Sequence, residues 1–123
     1  MISIVTLLLL LQIKHLIIDW FWQPPYEFMN KGTYGHWGGI RHALKHAWGT
    51  FVCLIFFHLG AFQIIGIFAL DYLLHYHIDW AKMNLNAKFS LTPKDEKFWW
   101  LVGLDQFLHQ LTYLLIAGMI FGL

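Results

Sequence analysis

Each of four segments of the chain carries two ligand-type side chains four positions apart: His15 and Asp19, His42 and His46, His75 and Asp79, Asp105 and His109. In a helix, residues four apart stand one above the other on a single face, so each pair is a two-toothed stripe. The set holds five imidazoles and three carboxylates. Zn, Mn and Fe accept such mixed nitrogen and oxygen donors, and eight donors suit two ions better than one. A single His–Asp pair on a helix is commonly no more than a hydrogen-bonded couple. The fourfold recurrence is what points to a metal centre, with two divalent transition ions as the expected cofactor, zinc before manganese or iron. The competing chemistry is a proton or ion path, which strings intramembrane Asp and His across the bilayer. Asp71, two turns deeper than Asp79 on the same face, would extend such a path.

The elements that must carry these stripes are apolar. Hydrophobic residues make up 59% of the chain and charged residues only 12%, about half the charged share of an ordinary soluble domain. A bilayer-crossing helix needs about 20 mostly apolar residues, so a single domain of this length has room for four spans. They are expected over residues 2–22, 40–59, 61–83 and 93–122. Pro24 and Pro25 stop the first, because neither offers an N–H and Pro24 pushes Gln23 out of the helical region. Gly38 and Gly39 precede the second, and Gly60 is expected to end it. In "LTPKDE", Thr92 is expected to cap the fourth, with Pro93 at its first helical position.

Short connections imply an all-α, integral membrane, antiparallel four-helix bundle. That topology puts all eight Lys and Arg residues, Lys14 included, at the same end as the four stripes. By the positive-inside rule this end is cytoplasmic, both termini lie on the other side, and the expected location is a bacterial inner membrane. The seven Trp residues fall toward the same end and read as an interfacial belt. A net charge of +1 argues against nucleic-acid binding, and the lone Cys53 reads as a small buried hydrophobe. The first segment lacks a basic leader and a small-residue cleavage site, and is expected to be retained.

Around the stripes, Gln23, Gln106 and Asp71 are expected to hydrogen-bond the ligands from outside. Gln12 and Gln110 read as either ligand support or glue between helices. His77 is expected to face away, and His36 and His58 to be interfacial.

The chain resembles a family of small bacterial and phage membrane proteins known only as a domain of unknown function. The resemblance rests on an ordered set of motifs: H-x-x-x-D in "HLIID", then Gln23 and Asn30-Lys31, H-x-x-x-H in "HALKH", H-x-x-x-D-x-x-K ending at Lys82, and D-Q-x-x-H in "DQFLH". The chain also looks like membrane-bound metal-dependent hydrolases. The resemblance implies a metal centre on membrane helices. It also singles out Lys31 and Lys82, among several cations that read as interfacial anchors, as the ones to hold a substrate.

The expectation that follows is a membrane-embedded two-metal hydrolase acting on a phosphoester or ester, with lipid as a candidate substrate, near the cytoplasmic leaflet. The alternatives are a bundle stapled by metal that binds or regulates another membrane protein, a proton or metal transporter, and a di-iron oxygenase.

Overall fold

The structure is a computed structural model and describes residues 2–122. It is an all-α bundle of five helices with no strand among the described residues: α1 (Ile4–Leu16), α2 (Pro25–Asn30), α3 (Trp37–Leu54), α4 (Ala61–Lys88) and α5 (Glu96–Phe121). A π-helical turn, Ile17–Phe21, prolongs α1 toward the two prolines. Of these helices two are long and apolar enough to cross a membrane, Ile4–Phe21 and α4. The expectation of four such spans is not met on length and composition, since Arg41, Lys45 and the stripe residues make α3 polar, and Asp105, Gln106, His109 and Gln110 do so for α5.

Several boundaries differ from the sequence reading for local reasons. Gly60 is the N-cap of α4 and not the stop of α3, which ends at Leu54; the chain then turns through Ile55 and Phe56 so that Phe57 packs inward. Helix α4 continues past Met83 to Lys88, where Ser90, with φ of 51°, reverses the chain and Leu91 N–H donates to Asn86 O at 2.9 Å. Helix α5 starts at Glu96 rather than Pro93. Thr92 does not cap it; its N–H and hydroxyl donate to Asp95 Oδ2 at 2.7 and 3.0 Å, closing a turn in front of the helix.

The four long helices form a ring in which each packs on two neighbours: α1 on α3 and α5, α4 on α3 and α5. Leu7 and Leu11 from the start of α1 meet Leu54 at the end of α3, Ile67 near the start of α4, and Tyr113 and Ile116 near the end of α5 in one apolar cluster. Cys53 belongs to that cluster. The opposite ends of the same helices therefore also meet, and those ends carry the stripes.

Two glycines set close approaches there. A Cβ on Gly49 would meet Lys14 Cγ at 2.6 Å, so the missing side chain lets α1 lie tight on α3. A Cβ on Gly38 would meet the Tyr26 carbonyl oxygen at 2.7 Å, so α2 folds back onto the first turn of α3. His36 caps that turn by accepting from Gly38 N–H at 3.0 Å.

Candidate metal centre

The chain has seven acidic residues, and five of them, Asp19, Glu27, Asp71, Asp79 and Asp105, are buried. Burying a carboxylate is costly unless a partner or an ion compensates. The structure supplies a different compensation for each region.

At the middle of the ring, one donor atom each from Asp19, His42, His46 and His75 lie within 4.8 Å of one another, and so do one each from His75, Asp79 and His109. His75 belongs to both groups. His46, His75 and His109 stack ring on ring, with centroids 3.5 and 3.9 Å apart. Asp19 Oδ1 lies 3.0 Å from His42 Nε2 and 2.8 Å from His46 Nε2; Asp79 Oδ2 lies 3.3 Å from His42 Nε2 and 3.7 Å from His75 Nε2. His42 Nε2, His75 Nε2 and Asp79 Oδ2 are nonetheless buried with no hydrogen-bond partner. These atoms are near one another but aimed past one another. Donors about 2.0–2.1 Å from a tetrahedral ion stand about 3.3 Å apart, so the spacing suits atoms converging on a shared ion.

Two of the eight stripe residues lie outside these groups. His15 uses Nδ1 on the Tyr113 hydroxyl and Nε2 on Gln106 Oε1, both at 2.8 Å, with Asp19 Oδ2 3.3 Å away. Asp105 lies 3.6 Å from both His109 Nε2 and Lys82 Nζ, and its Oδ1 is buried without a partner. Gln106 links the two, donating to Asp105 Oδ2 at 3.1 Å. Gln23 donates to the Asp19 carbonyl oxygen at 2.6 Å and so braces the π-helical turn that carries Asp19. Lys31 is buried with Nζ 3.3 Å from Asp79 Oδ1. Burial works against its charge, but Asp79, Asp19 and Asp105 outweigh that and hold the ammonium above its usual range. Neither Lys31 nor Lys82 reaches outward as an interfacial anchor.

Asp71 does not touch a stripe histidine. Its Oδ2 accepts from Lys14 Nζ at 3.2 Å and from Thr50 Oγ1 at 2.5 Å, and Lys14 Nζ in turn lies 3.4 Å from His46 Nδ1. Lys14 is thus inside the bundle, contrary to the expectation that it belongs with the charges at the membrane surface. His77 faces away, its ring held by Leu73 O and the Tyr34 hydroxyl. His36 is a helix cap, His58 is exposed at the opposite end, and Gln12 pairs with Gln110.

A sequence model of the family described as "Protein of unknown function (DUF3307)" matches residues 6–123, which include every residue of this centre. The chain belongs to the DUF3307 family. No curated protein and no solved structure matches it.

Within this DUF3307 chain, sequence reasoning missed Glu27, Tyr113 and Thr50. Glu27 is the most consequential. It lies 1% exposed on α2, with Oε2 3.3 Å from His42 Nδ1 and 2.7 Å from Lys45 Nζ, and with Oε1 accepting from Arg41 Nε at 2.7 Å. Burial alone would raise its carboxyl, but His42, Lys45 and Arg41 outweigh that and bring it down to about 2. A carboxylate that accepts from Nδ1 favours the tautomer whose free nitrogen is Nε2, and His42 Nε2 is the nitrogen on the side of the centre, 3.0 Å from Asp19 Oδ1. The available signal was an acidic residue in the first turn after two prolines, followed within 20 residues by a basic cluster, "RHALK".

Proposed function

We propose that this protein is an integral membrane, antiparallel four-helix bundle that binds two divalent transition ions, zinc most readily, and hydrolyses a phosphoester near the cytoplasmic leaflet. The observation that carries the metal reading is the convergence of unpartnered buried donors on His42, His75 and Asp79 amid the two overlapping donor groups. An apolar interior would not leave such atoms orphaned, and a hydrogen-bonded network would have paired them.

The membrane reading is supported by polarity turned inside out. Lys14, Asp71 and the ligand set lie within, while Val5, Leu9, Ile65, Leu73 and Phe62, the last 94% exposed, face outward. Helix α4, at 28 residues, is about 42 Å long against a hydrocarbon core of about 30 Å. Its last turns, with Lys82 and Lys88, would then stand beyond the hydrocarbon.

Charge supports an anionic substrate. Asp79 faces Lys31, Asp105 faces Lys82, and Asp19 lines the same cleft as both lysines, a net charge of minus one before any ion is counted. Two divalent ions would leave an excess of positive charge that a hydroxide and a phosphoester balance. Such ions lower the pKa of a bound water and stabilise the attacking and leaving oxygens of a displacement. Asp19, His42 and His46 would hold one ion and Asp79 and His109 the other, with His75 at either. Lys31 and Lys82 would hold the phosphate, and Gln106 would keep Asp105 and His15 in place.

A second reading, in which metal only staples the bundle, is favoured by one feature: Asp19, His42, His46 and His75 already make up a closed, four-donor set. With His75 given instead to Asp79 and His109, each ion has three donors and an open position, which favours catalysis. Metal analysis after purification in detergent without chelator tests both readings, and less than half an equivalent of transition metal per chain would end them. With metal present, Asp105→Asn should reduce turnover of a phosphoester, because Asp105 positions Lys82, and keep the fold. Unfolding of that variant would favour the staple.

A further inference from the structure

A cleft of about 630 Å³ opens beside the centre, within the size range of small-ligand sites. Buried Asp19, Asp105 and Lys31, together with Lys82, line its inner end. Trp20 and Trp99, both more than half exposed, stand at its rim. A second, almost wholly apolar groove of about 250 Å³ runs between α4 and α5, walled by Ile78, Ala81, Leu101 and Leu104. Lys82 and Asp105 line both recesses, so a single ion pair with a 3.6 Å separation stands between them.

We propose that the two recesses together hold one phosphate-headed lipid, its headgroup against Lys31 and Lys82 and its hydrocarbon chain in the α4–α5 groove. This rests on the reading of the centre as a metal-dependent phosphoesterase and names its substrate class. Three features carry it. The acidic partner of Lys31 is Asp79, and an ion held by that carboxylate takes over its neutralisation, which frees the Lys31 ammonium for an outside anion, while Lys82 stands 3.6 Å from Asp105 and is held there only loosely. Gln23 Oε1 and Asn86 Oδ1 line the cleft, buried without partners, as acceptors for headgroup hydroxyls. Lys82, one of the two cations that would hold the phosphate, also lines the apolar groove, so a chain attached to that phosphate reaches the groove by passing only the Lys82–Asp105 pair. A soluble phosphoester would leave the groove unused. Each methylene taken out of water into it is worth about a fourfold gain in affinity.

The test is equilibrium binding to the metal-loaded, detergent-purified full chain, using dodecyl phosphate, inorganic phosphate and dodecanol as probes, with metal content measured on every sample. Dodecyl phosphate should bind at least about tenfold tighter than either of the others. Lys82→Met should weaken it about tenfold and Lys82→Arg should restore it. Ala81→Trp, which fills the groove, should bring dodecyl phosphate down to the level of inorganic phosphate and leave inorganic phosphate unchanged; Leu104→Trp, from the opposite wall, repeats the test should the first variant not fold. Equal binding of dodecyl phosphate and inorganic phosphate points to a free phosphate as ligand and overturns the proposal, as does a chain-length advantage that survives both groove variants. A protein without metal overturns the reading of the centre itself, whereas a metal-loaded protein indifferent to the chain overturns only this inference.

Discussion

The contact between Glu27 and His42 makes the sharpest test of how the centre is held. Removing the carboxylate from a ligating imidazole typically costs 10–100-fold in metal affinity, about 1.4–2.7 kcal/mol. Here the distance is 3.3 Å, longer than a strong charge-assisted bond of about 2.7–2.9 Å, and Lys45 and Arg41, each at 2.7 Å, draw on the same carboxylate. The effect should therefore fall at the low end, about tenfold for Glu27→Ala and about threefold for Glu27→Gln, whose amide oxygen can still accept from Nδ1. Zinc affinity, measured by competition with a chromophoric chelator on detergent-purified protein, reads it directly. Lys45→Met supplies the contrast: it removes a competitor for Glu27 while leaving His42 untouched, so affinity should stay the same or rise slightly. Should Glu27→Ala bind zinc within twofold of the unaltered chain, or Lys45→Met weaken binding as much as Glu27→Ala, the carboxylate does not work through His42 and this account of the centre is wrong.

Three further predictions concern the ions, the buried pair and the glycines. Asp79→Asn, which disables the three-donor group, should halve the metal content measured by elemental analysis and leave the ion of the four-donor group in place. Lys14→Met strands the Asp71 carboxylate, and should lower stability to denaturant in detergent by about 3–5 kcal/mol. Adding Asp71→Leu should recover at least half of that loss, because a pair removed together leaves no lone buried charge. Gly38→Ala should cost about 1–3 kcal/mol, since its Cβ would press on the Tyr26 carbonyl oxygen. Gly66→Ala, in the interior of α4 with open space beside it, should instead stabilise by about 0.5–1 kcal/mol in the same assay.

The helices and their chemistry were legible because helical periodicity is local. The spacing of His15 and Asp19, or of His75 and Asp79, places both side chains on one helix face whatever the rest of the chain does. Pro24, Pro25 and Gly60 likewise break helices through their own backbone chemistry, and helix boundaries do fall around them. Where the reading went astray, as at Thr92, the choice between two nearby cap arrangements turned on a single side chain, Asp95, bonding backward instead of serving the helix.

The eight stripe residues looked equivalent in the sequence, and only the packing of the ring separates them. The inner six face one another, while Tyr113 and Gln106 occupy both nitrogens of His15, and Asp105 stands beside Lys82. Glu27 and Lys14 were hidden for the same reason. One sits in a loop helix and the other in an apolar run, and each takes its meaning from partners that are distant in sequence, Arg41, His42 and Lys45 for the first, Asp71 for the second. The sequence alone determined the kinds of donors and the helix faces that carry them, because those depend on backbone geometry within a turn. Which donors meet across helices, which cations neutralise them and where the cleft opens were decided by tertiary packing, because a buried charge is stable only in the presence of its particular partner.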